Sequence, residues 1–346
     1  MKFGIVVRAD DTGLGNQTHD LVKMLNPDRI LIIDSSTFHN KNEQHYEWYI
    51  GIDCVVSKGF PDIRTLTRFF NGLNVVLSCE TFYSKQFVAL ARKKRIKTIL
   101  QYNFEFLDHL SNDKLPLPDV LLAPSLWRFE EVQQKFGDKC LVKHLPPPTD
   151  SDLFMKNRET NKKRSNKLLH VAGKAAIYDR NGTNSVIEML NYSEENYSLV
   201  IKSQTPIEID YKDERLTVLS GNEKSREDLY CGYDAMILPR RYAVLCLPMN
   251  EALMSGLPVF MTDISPNNIV LPDKWLAKSS FIKNFMTRVG IELYEADPKS
   301  LATVVDKYFS QKNMDKSKKE AFEIGYNLFS YESLKSKYVE MINSLS

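Results

Sequence analysis

Short runs of apolar, often β-branched residues recur at positions 3–7, 30–33, 54–56, 75–77 and 98–100, separated by longer stretches whose apolar positions fall three or four apart. Runs of that length read as strands buried on both faces, and the wider spacing reads as one face of a helix. Residues 17–25 and 85–95 carry the helical spacing most plainly, the second closing on Arg92-Lys93-Lys94-Arg95. Alternation of this kind predicts a parallel sheet with helices on both faces. From about residue 144 to 166 the pattern breaks into Pro146-Pro147-Pro148 and then a polar, aperiodic stretch, which predicts an exposed linker. Strand-like runs restart at 168–171, 199–201, 217–219, 235–238 and 259–261. The chain therefore reads as two doubly wound, Rossmann-like α/β domains, residues 1–145 and 167–325, joined by the linker 146–166. Their carboxyl sheet ends are expected to face a cleft, where open α/β sheets bind ligands.

Bulk properties narrow the classes. A chain of 346 residues exceeds what one core usually holds. With 43% apolar and 26% charged residues and a net charge of +2, it reads as globular, without the global basic field of a dedicated nucleic-acid binder. Five scattered cysteines without a CxxC pair read as reduced core thiols. No run approaches the roughly 20 apolar residues of a membrane span. The amino-terminal apolar run is too short for a signal peptide, so a cytoplasmic location is expected, in the host if the chain is viral. No His, Cys and Asp cluster shows metal-ligand spacing, and no metal is expected.

Three segments carry chemistry. The first strand runs into Arg8-Ala9-Asp10-Asp11-Thr12-Gly13-Leu14-Gly15, where backbone at Gly13, Leu14 and Gly15 can approach a phosphate at a helix amino end. A tight turn capped by Asn16 or Thr18 explains the same residues, because neither a full G-x-G-x-x-G nor a Walker motif is present. The second segment follows residues 168–171: Ala172-Gly173-Lys174, then Asp179-Arg180-Asn181-Gly182-Thr183. Lys174 and Arg180 can clamp a diphosphate leaving group, or stand as two solvated cations. The third runs from Leu238 through Pro239-Arg240-Arg241-Tyr242-Ala243 to a helix starting near Pro248 and a strand after Gly256-Leu257-Pro258.

This third segment resembles the donor-binding signature of family 4 glycosyltransferases, Pro-Ser-x-x-Glu-Gly-Phe-Gly-Leu-x-x-x-Glu-Ala-Met-Ala-x-Gly-x-Pro-Val-Val. Pro239, Leu247, Glu251, Ala252, Gly256, Pro258 and Val259 align with it without a gap. The resemblance implies a GT-B fold whose carboxyl-terminal helix, residues 326–346, crosses back to the first domain. It also implies retaining transfer from a nucleotide sugar, a UDP-sugar, as donor substrate with no cofactor, and the lack of an Asp-x-Asp between a strand and a loop fits a metal-independent reaction. Glu251 would hold the ribose hydroxyls, and the backbone of Val244, Leu245, Cys246 and Leu247 would face the sugar and phosphates. Asn222, after Gly221, would meet the base, and Arg241 joins the donor set. Ala243 stands where the family carries a glutamate that touches the donor sugar, which leaves hexose and pentose both open.

In the first domain acids lie at predicted strand ends: Asp10 and Asp11, Glu80, and Glu105. A base or charge-stabilising carboxylate would come from such a place, and Asp11 and Glu105 are the best placed. His19 reads as packed or solvated. The expected acceptor is a hydroxymethylpyrimidine in phage DNA, because residues 6–18 and 179–183 look like those of viral and metagenomic members. A bacterial surface glycan or lipid-linked sugar is the rival acceptor. A nucleotide-sugar isomerase or epimerase, and a non-catalytic nucleotide-sugar binder, are the readings of other classes.

Overall fold

In the computed structural model, residues 1–38, 42–107, 110, 116–173, 178–242, 245–286 and 288–345 are described. Two compact units emerge, Met1–Thr149 with Tyr331–Ser346, and Asp150–Ser330.

The first unit runs β1 (Phe3–Arg8), α1 (Gly13–Leu25), β2 (Arg29–Asp34), β3 (Cys54–Lys58), α2 (Ile63–Phe70), β4 (Val75–Glu80), α3 (Phe87–Lys93), β5 (Lys97–Tyr102), β6 (Val120–Ala123), α4 (Phe129–Phe136) and β7 (Leu141–His144). All its strands pair in parallel, in the order β3-β2-β1-β4-β5-β6-β7. Both faces of the central strands are covered, which is why Ile5, Val6, Val7, Val75, Val76 and Leu77 form unbroken apolar runs, each 1% exposed or less.

The second unit runs α5 (Ser151–Met155), α6 (Asn157–Asn161), β8 (Lys167–Gly173), α7 (Thr183–Met189), β9 (Ser198–Ser203), β10 (Leu216–Ser220), β11 (Ala235–Ile237), α8 (Leu247–Met254), β12 (Val259–Thr262), α9 (Asn267–Val270), β13 (Leu276–Ala277), β14 (Ser279–Met286), β15 (Gly290–Ala296), α10 (Pro298–Phe309) and α11 (Asp315–Phe329). Its parallel sheet is ordered β10-β9-β8-β11-β12-β13, with β14 and β15 a separate antiparallel hairpin. The last helix, α12 (Tyr331–Asn343), belongs to the first unit. There the buried Tyr338 hydroxyl accepts from Gln101 Nε2 at 2.9 Å and donates to the Pro146 carbonyl at 2.9 Å.

Several sequence expectations change. The stretch read as an exposed linker holds α5 and α6, with Phe154 fully buried and Asn157 and Asn161 5% and 1% exposed. Its polar residues point inward: Asn161 Nδ2 donates to the Tyr230 and Ser255 carbonyls, both at 3.0 Å, and its Oδ1 accepts from Gly232 N at 2.8 Å. A buried side chain whose hydrogen bonds are made looks the same in sequence as an exposed one. The carboxyl-terminal segment divides at Ser330, so residues 326–329 end α11 of the second unit. Strands β6, β7 and β13, of 4, 4 and 2 residues, were not among the expected strands. The hairpin escaped the reading because most of β14 is exposed and carries no apolar alternation. No helix among the described residues is long and apolar enough to cross a membrane.

Candidate functional site

In the second sheet the chain reverses direction of growth between β8 and β11, and crevices at such points, outside the carboxyl ends of the strands, are where open α/β sheets take ligands. The loops after those two strands are the second and third chemistry-bearing segments of the sequence. They are knitted together. Gly182, at φ +72°, lies so near Pro239 that a Cβ there would sit 2.4 Å from the Pro239 carbonyl oxygen, so only glycine fits. Arg241 N donates to the Arg180 carbonyl at 3.0 Å, and the Arg180 guanidinium lies 5.2 Å from the Tyr242 ring centre. Beneath them His170 is fully buried and bridges the Ile237 carbonyl and Thr183 Oγ1, each at 2.9 Å. Burial pushes its pKa down to about 4, so it is a neutral brace.

The two helix amino ends at this crevice differ. At α7 the Asp179 carboxylate already takes Thr183 N at 3.0 Å and Asn184 N at 2.8 Å, filling the place an anion would occupy. At α8 no side chain caps the amino end, where Cys246 is the capping residue and Pro248 follows in the first turn. Arg240, 5% exposed, reaches this end and donates from Nη1 to the Leu245 carbonyl at 2.9 Å. Its Nε is buried without a partner, and it forms no ion pair among the described residues. A buried guanidinium without counter-charge is costly to leave so.

Glu251, on α8, is 5% exposed. Its Oε1 accepts from Arg226 Nε at 2.8 Å and Nη2 at 2.5 Å, and its Oε2 accepts from the Tyr230 hydroxyl at 2.5 Å. Burial first, and the Glu251 charge second, hold Tyr230 protonated with a pKa well above its usual value. A carboxylate offers about four acceptor positions, of which three are used. Arg226 and Tyr230 were not foreseen, since both lie more than 20 residues upstream, outside the spaced motif.

The remaining expected residues scatter. Arg241 spends its guanidinium on the Tyr178 carbonyl at 2.7 Å, the Tyr294 carbonyl at 3.2 Å and Glu295 at 3.3 Å, bracing the crevice against β15. Of the arginine pair the unspent member is Arg240, which the sequence reading passed over. Asn222 is exposed after β10, accepting only a 3.4 Å contact from Gln204. Lys174, Ala243 and Val244 lie outside the described residues. A cavity of about 520 Å³ adjoins the loop after β8. It runs along α7 and is also lined by residues 207–211, and no described residue of α8 or of the loop before it lines it.

In the first unit, Gly13, Leu14 and Gly15 form the first turn of α1, where the expectation had a loop. Thr12 Oγ1 accepts from Gly15 N at 3.2 Å, and a Cβ on Gly15 would sit 1.8 Å from the Asp10 carbonyl oxygen. The turn is closed on itself by Thr12, the cap that the alternative reading had assigned to Asn16 or Thr18. Asp10 is fully buried, taking Arg8 Nε at 2.7 Å, Ser35 Oγ at 2.5 Å and Thr12 N at 3.1 Å. Burial raises its pKa, but these bonds outweigh it and the value is lowered. Asp11, with a side chain 61% exposed, meets His45 Nε2 at 3.0 Å. Glu105 is half-buried in a short turn, Phe104–Phe106, after β5. Among the described residues no hydrogen bond joins Asp11 to Glu105. Glu80, at the end of β4 where this sheet reverses, has φ +60°, a costly conformation for a residue with a side chain.

No protein-family model matches the chain, and no curated protein matches it in sequence. Solved structures do. HepE of Anabaena, in complex with UDP and glucose, superposes at a TM-score of 0.68 and 10% identity, over 99% of this chain and 100% of its own. Sucrose-phosphate synthase from Thermosynechococcus elongatus gives 0.67 and 12%, over 100% and 99%. The lipopolysaccharide outer core galactosyltransferase WaaB, in its apo form, gives 0.64 and 12%, over 99% of each chain. With its two parallel, Rossmann-like sheets and full-length similarity to these glycosyltransferase structures, the chain has the fold of the GT-B class.

Proposed function

We propose that the protein is a glycosyltransferase, moving a sugar from a nucleotide-sugar donor, a UDP-sugar, to a hydroxyl acceptor. The donor is held by the second unit and the acceptor by the first. The observation that carries this reading is Arg240: a buried cation without a counter-charge among the described residues, at the uncapped amino end of α8. A donor diphosphate supplies that charge, with Arg180 of the neighbouring loop as a second cation and Lys174 as the third that the sequence suggests. Glu251, fixed by Arg226 and Tyr230, keeps an acceptor position for a ribose hydroxyl. In the transfer the bond from anomeric carbon to diphosphate oxygen breaks, and that oxygen keeps the electron pair. The acceptor oxygen bonds the anomeric carbon, and its proton passes to a carboxylate, Asp11 or Glu105, or to the departing phosphate. Cations at the leaving group do the work that a divalent ion does elsewhere.

Retention, a family 4-like identity and a hydroxymethylpyrimidine DNA acceptor rest on the sequence resemblance. Of the basic residues at 92–97, Arg92 donates to the Leu117 carbonyl at 3.0 Å and Lys97 pairs with Asp119 at 3.0 Å, while Lys93, Lys94 and Arg95 are exposed. The test incubates the full chain with radiolabelled UDP-sugars and with unmodified, hydroxymethylcytosine and hydroxymethyluracil DNA, with and without EDTA. Label in hydroxymethylated DNA alone, unaffected by EDTA, is expected. Label in none of the DNAs, with UDP still released, removes the DNA acceptor. Conversion of donor to another nucleotide sugar without UDP release marks an isomerase. No turnover, with donor bound, leaves a binder.

A further inference from the structure

Residues 42–49 fold over the carboxyl ends of β1 and β2. His45 N donates to the Ala9 carbonyl at 2.6 Å, Gln44 Nε2 to Ser35 Oγ at 3.0 Å, the Tyr46 hydroxyl to Asp34 at 2.8 Å and the Tyr49 hydroxyl to the Arg8 carbonyl at 3.0 Å. At the centre of this segment the His45 ring lies between two carboxylates: Nε2 is 3.0 Å from Asp11 Oδ2, and Nδ1 is 3.0 Å from Glu47 Oε1. One face of the ring stacks on Trp48 at 4.9 Å and 14°. Trp48 also stacks with His19 of α1 at 4.7 Å. Ionised carboxylates only accept hydrogen bonds, and a neutral imidazole carries one N–H. Both contacts are made at once only when the ring is an imidazolium.

We propose that His45 is the positioning residue for Asp11: held in place by Glu47 and Trp48, its imidazolium pins the exposed Asp11 carboxylate at the carboxyl end of β1. This rests on the reading of Asp11 as an acceptor-side carboxylate. Asp11 has a side chain 61% exposed, and its one ion pair among the described residues is the contact to His45. Without that contact its rotamers spread, and misplacement of a reacting group by about 1 Å costs on the order of 100-fold in rate. The charged and titratable groups around the ring are Asp11 from the loop after β1, Glu47 from its own turn and, across Trp48, His19 from α1. Asp10, next to Asp11, is spent on Arg8, Thr12 and Ser35.

Burial lowers the His45 pKa, but the hydrogen bonds and charges of Asp11 and Glu47 outweigh it, and the value is raised above 6.5. The hold on Asp11 is therefore complete below 6.5 and is lost as pH rises through the raised value.

The experiment follows the His45 ring by NMR titration of the full chain, and UDP release from UDP-glucose with water as acceptor, across pH. The expected wild-type midpoint lies above that of a free histidine, moves to lower pH in Asp11→Asn and Glu47→Gln, and coincides with a fall in kcat that leaves KM for the donor in place. His45→Gln should lose roughly 100-fold in kcat and abolish that limb of the pH profile. Wild-type dispersion of the first unit's NMR resonances in each variant shows that this unit is folded, and retained UDP binding shows the same of the second. A wild-type midpoint at or below the ordinary value, or one unmoved by Asp11→Asn, overturns the pinning. A kcat profile unmoved by Glu47→Gln, while the midpoint shifts, overturns the positioning role. Asp11→Asn at full activity sinks the acceptor-side reading of Asp11 instead, and with it the role but not the titration result.

Discussion

The two sheets follow one strand order, β3-β2-β1-β4-β5-β6 in the first unit and β10-β9-β8-β11-β12-β13 in the second, yet they treat charge at the reversal point in opposite ways. In the first unit each cation at this point already has a carboxylate partner. Arg8 pairs with Asp10, and His45 with Asp11 and Glu47, while the amino end of α1 is closed by Thr12. In the second unit Glu251 is neutralised by Arg226 and Arg241 by Glu295, but Arg240 has no carboxylate among the described residues and the amino end of α8 has no side-chain cap. Topology alone does not make an anion site. Among the described residues the second crevice has a cation without a counter-charge to offer a diphosphate, whereas in the first the cations are already taken by carboxylates.

The sharpest break in this comparison comes from Glu251. Glu251→Ala strands Arg226, whose side chain is 16% exposed, and breaking one side of a buried pair costs about 3 to 5 kcal/mol. Urea unfolding should show that loss, and UDP titration should show binding abolished. Glu251→Gln with Arg226→Met should recover most of the stability and none of the binding. If binding returns as well, the carboxylate serves only the fold. Gly182→Ala comes next, because its new Cβ meets the Pro239 carbonyl and its positive φ adds strain, together about 2 to 3 kcal/mol. UDP affinity measured on the folded fraction should fall with it. Unchanged affinity would mean that the packing of the two loops does not shape the site.

The arginine pair separates binding from architecture. Arg240→Met should weaken UDP binding by about 2 kcal/mol, roughly 30-fold, and leave uridine binding alone, since only the diphosphate is lost as a partner. Its unfolding free energy should hold or rise, because an unpaired buried cation is removed. Arg241→Met should do the reverse, costing about 1 to 2 kcal/mol of stability through the lost bonds to Tyr178, Tyr294 and Glu295, with UDP affinity kept. Equal effects of both substitutions on UDP binding would erase the distinction.

That distinction also marks where the sequence could be read and where it could not. Strands buried on both faces leave continuous apolar runs, so β1, β2, β4, β8 and β9 were legible, and with them the two parallel sheets. Glu251 stood out in the sequence because the spaced motif around it runs without a gap from the loop before α8 into β12. The roles of Arg240 and Arg241 did not, because adjacent residues in a loop leave in different directions and only the fold decides which one meets β15. Asn157 and Asn161 misled for the opposite reason: their polarity is consumed by backbone carbonyls and the Ser255 hydroxyl, 69 to 98 positions away, which no local pattern records. His45 was passed over as well, since its partner Asp11 lies 34 positions away.

The smallest effect tests the balanced character of the first crevice. Asp10 accepts from Arg8, Ser35 and Thr12, and its pKa is held below the ordinary 3.8 although burial alone would raise it. A carboxylate lowered in the folded state contributes stability that is complete above its unfolded value and is lost as pH falls through the folded one. Asp10→Asn should therefore cost about 1 to 2 kcal/mol in urea unfolding near neutral pH, typical of hydrogen bonds to a charged group. The difference from wild type should shrink as pH falls below 3.8 and close once the wild-type carboxyl is protonated in both states. UDP affinity should not change at any pH. A pH-independent cost would mean that the site values the shape of Asp10 and not its charge, and the contrast between a balanced and an unbalanced crevice would then rest on the second unit alone.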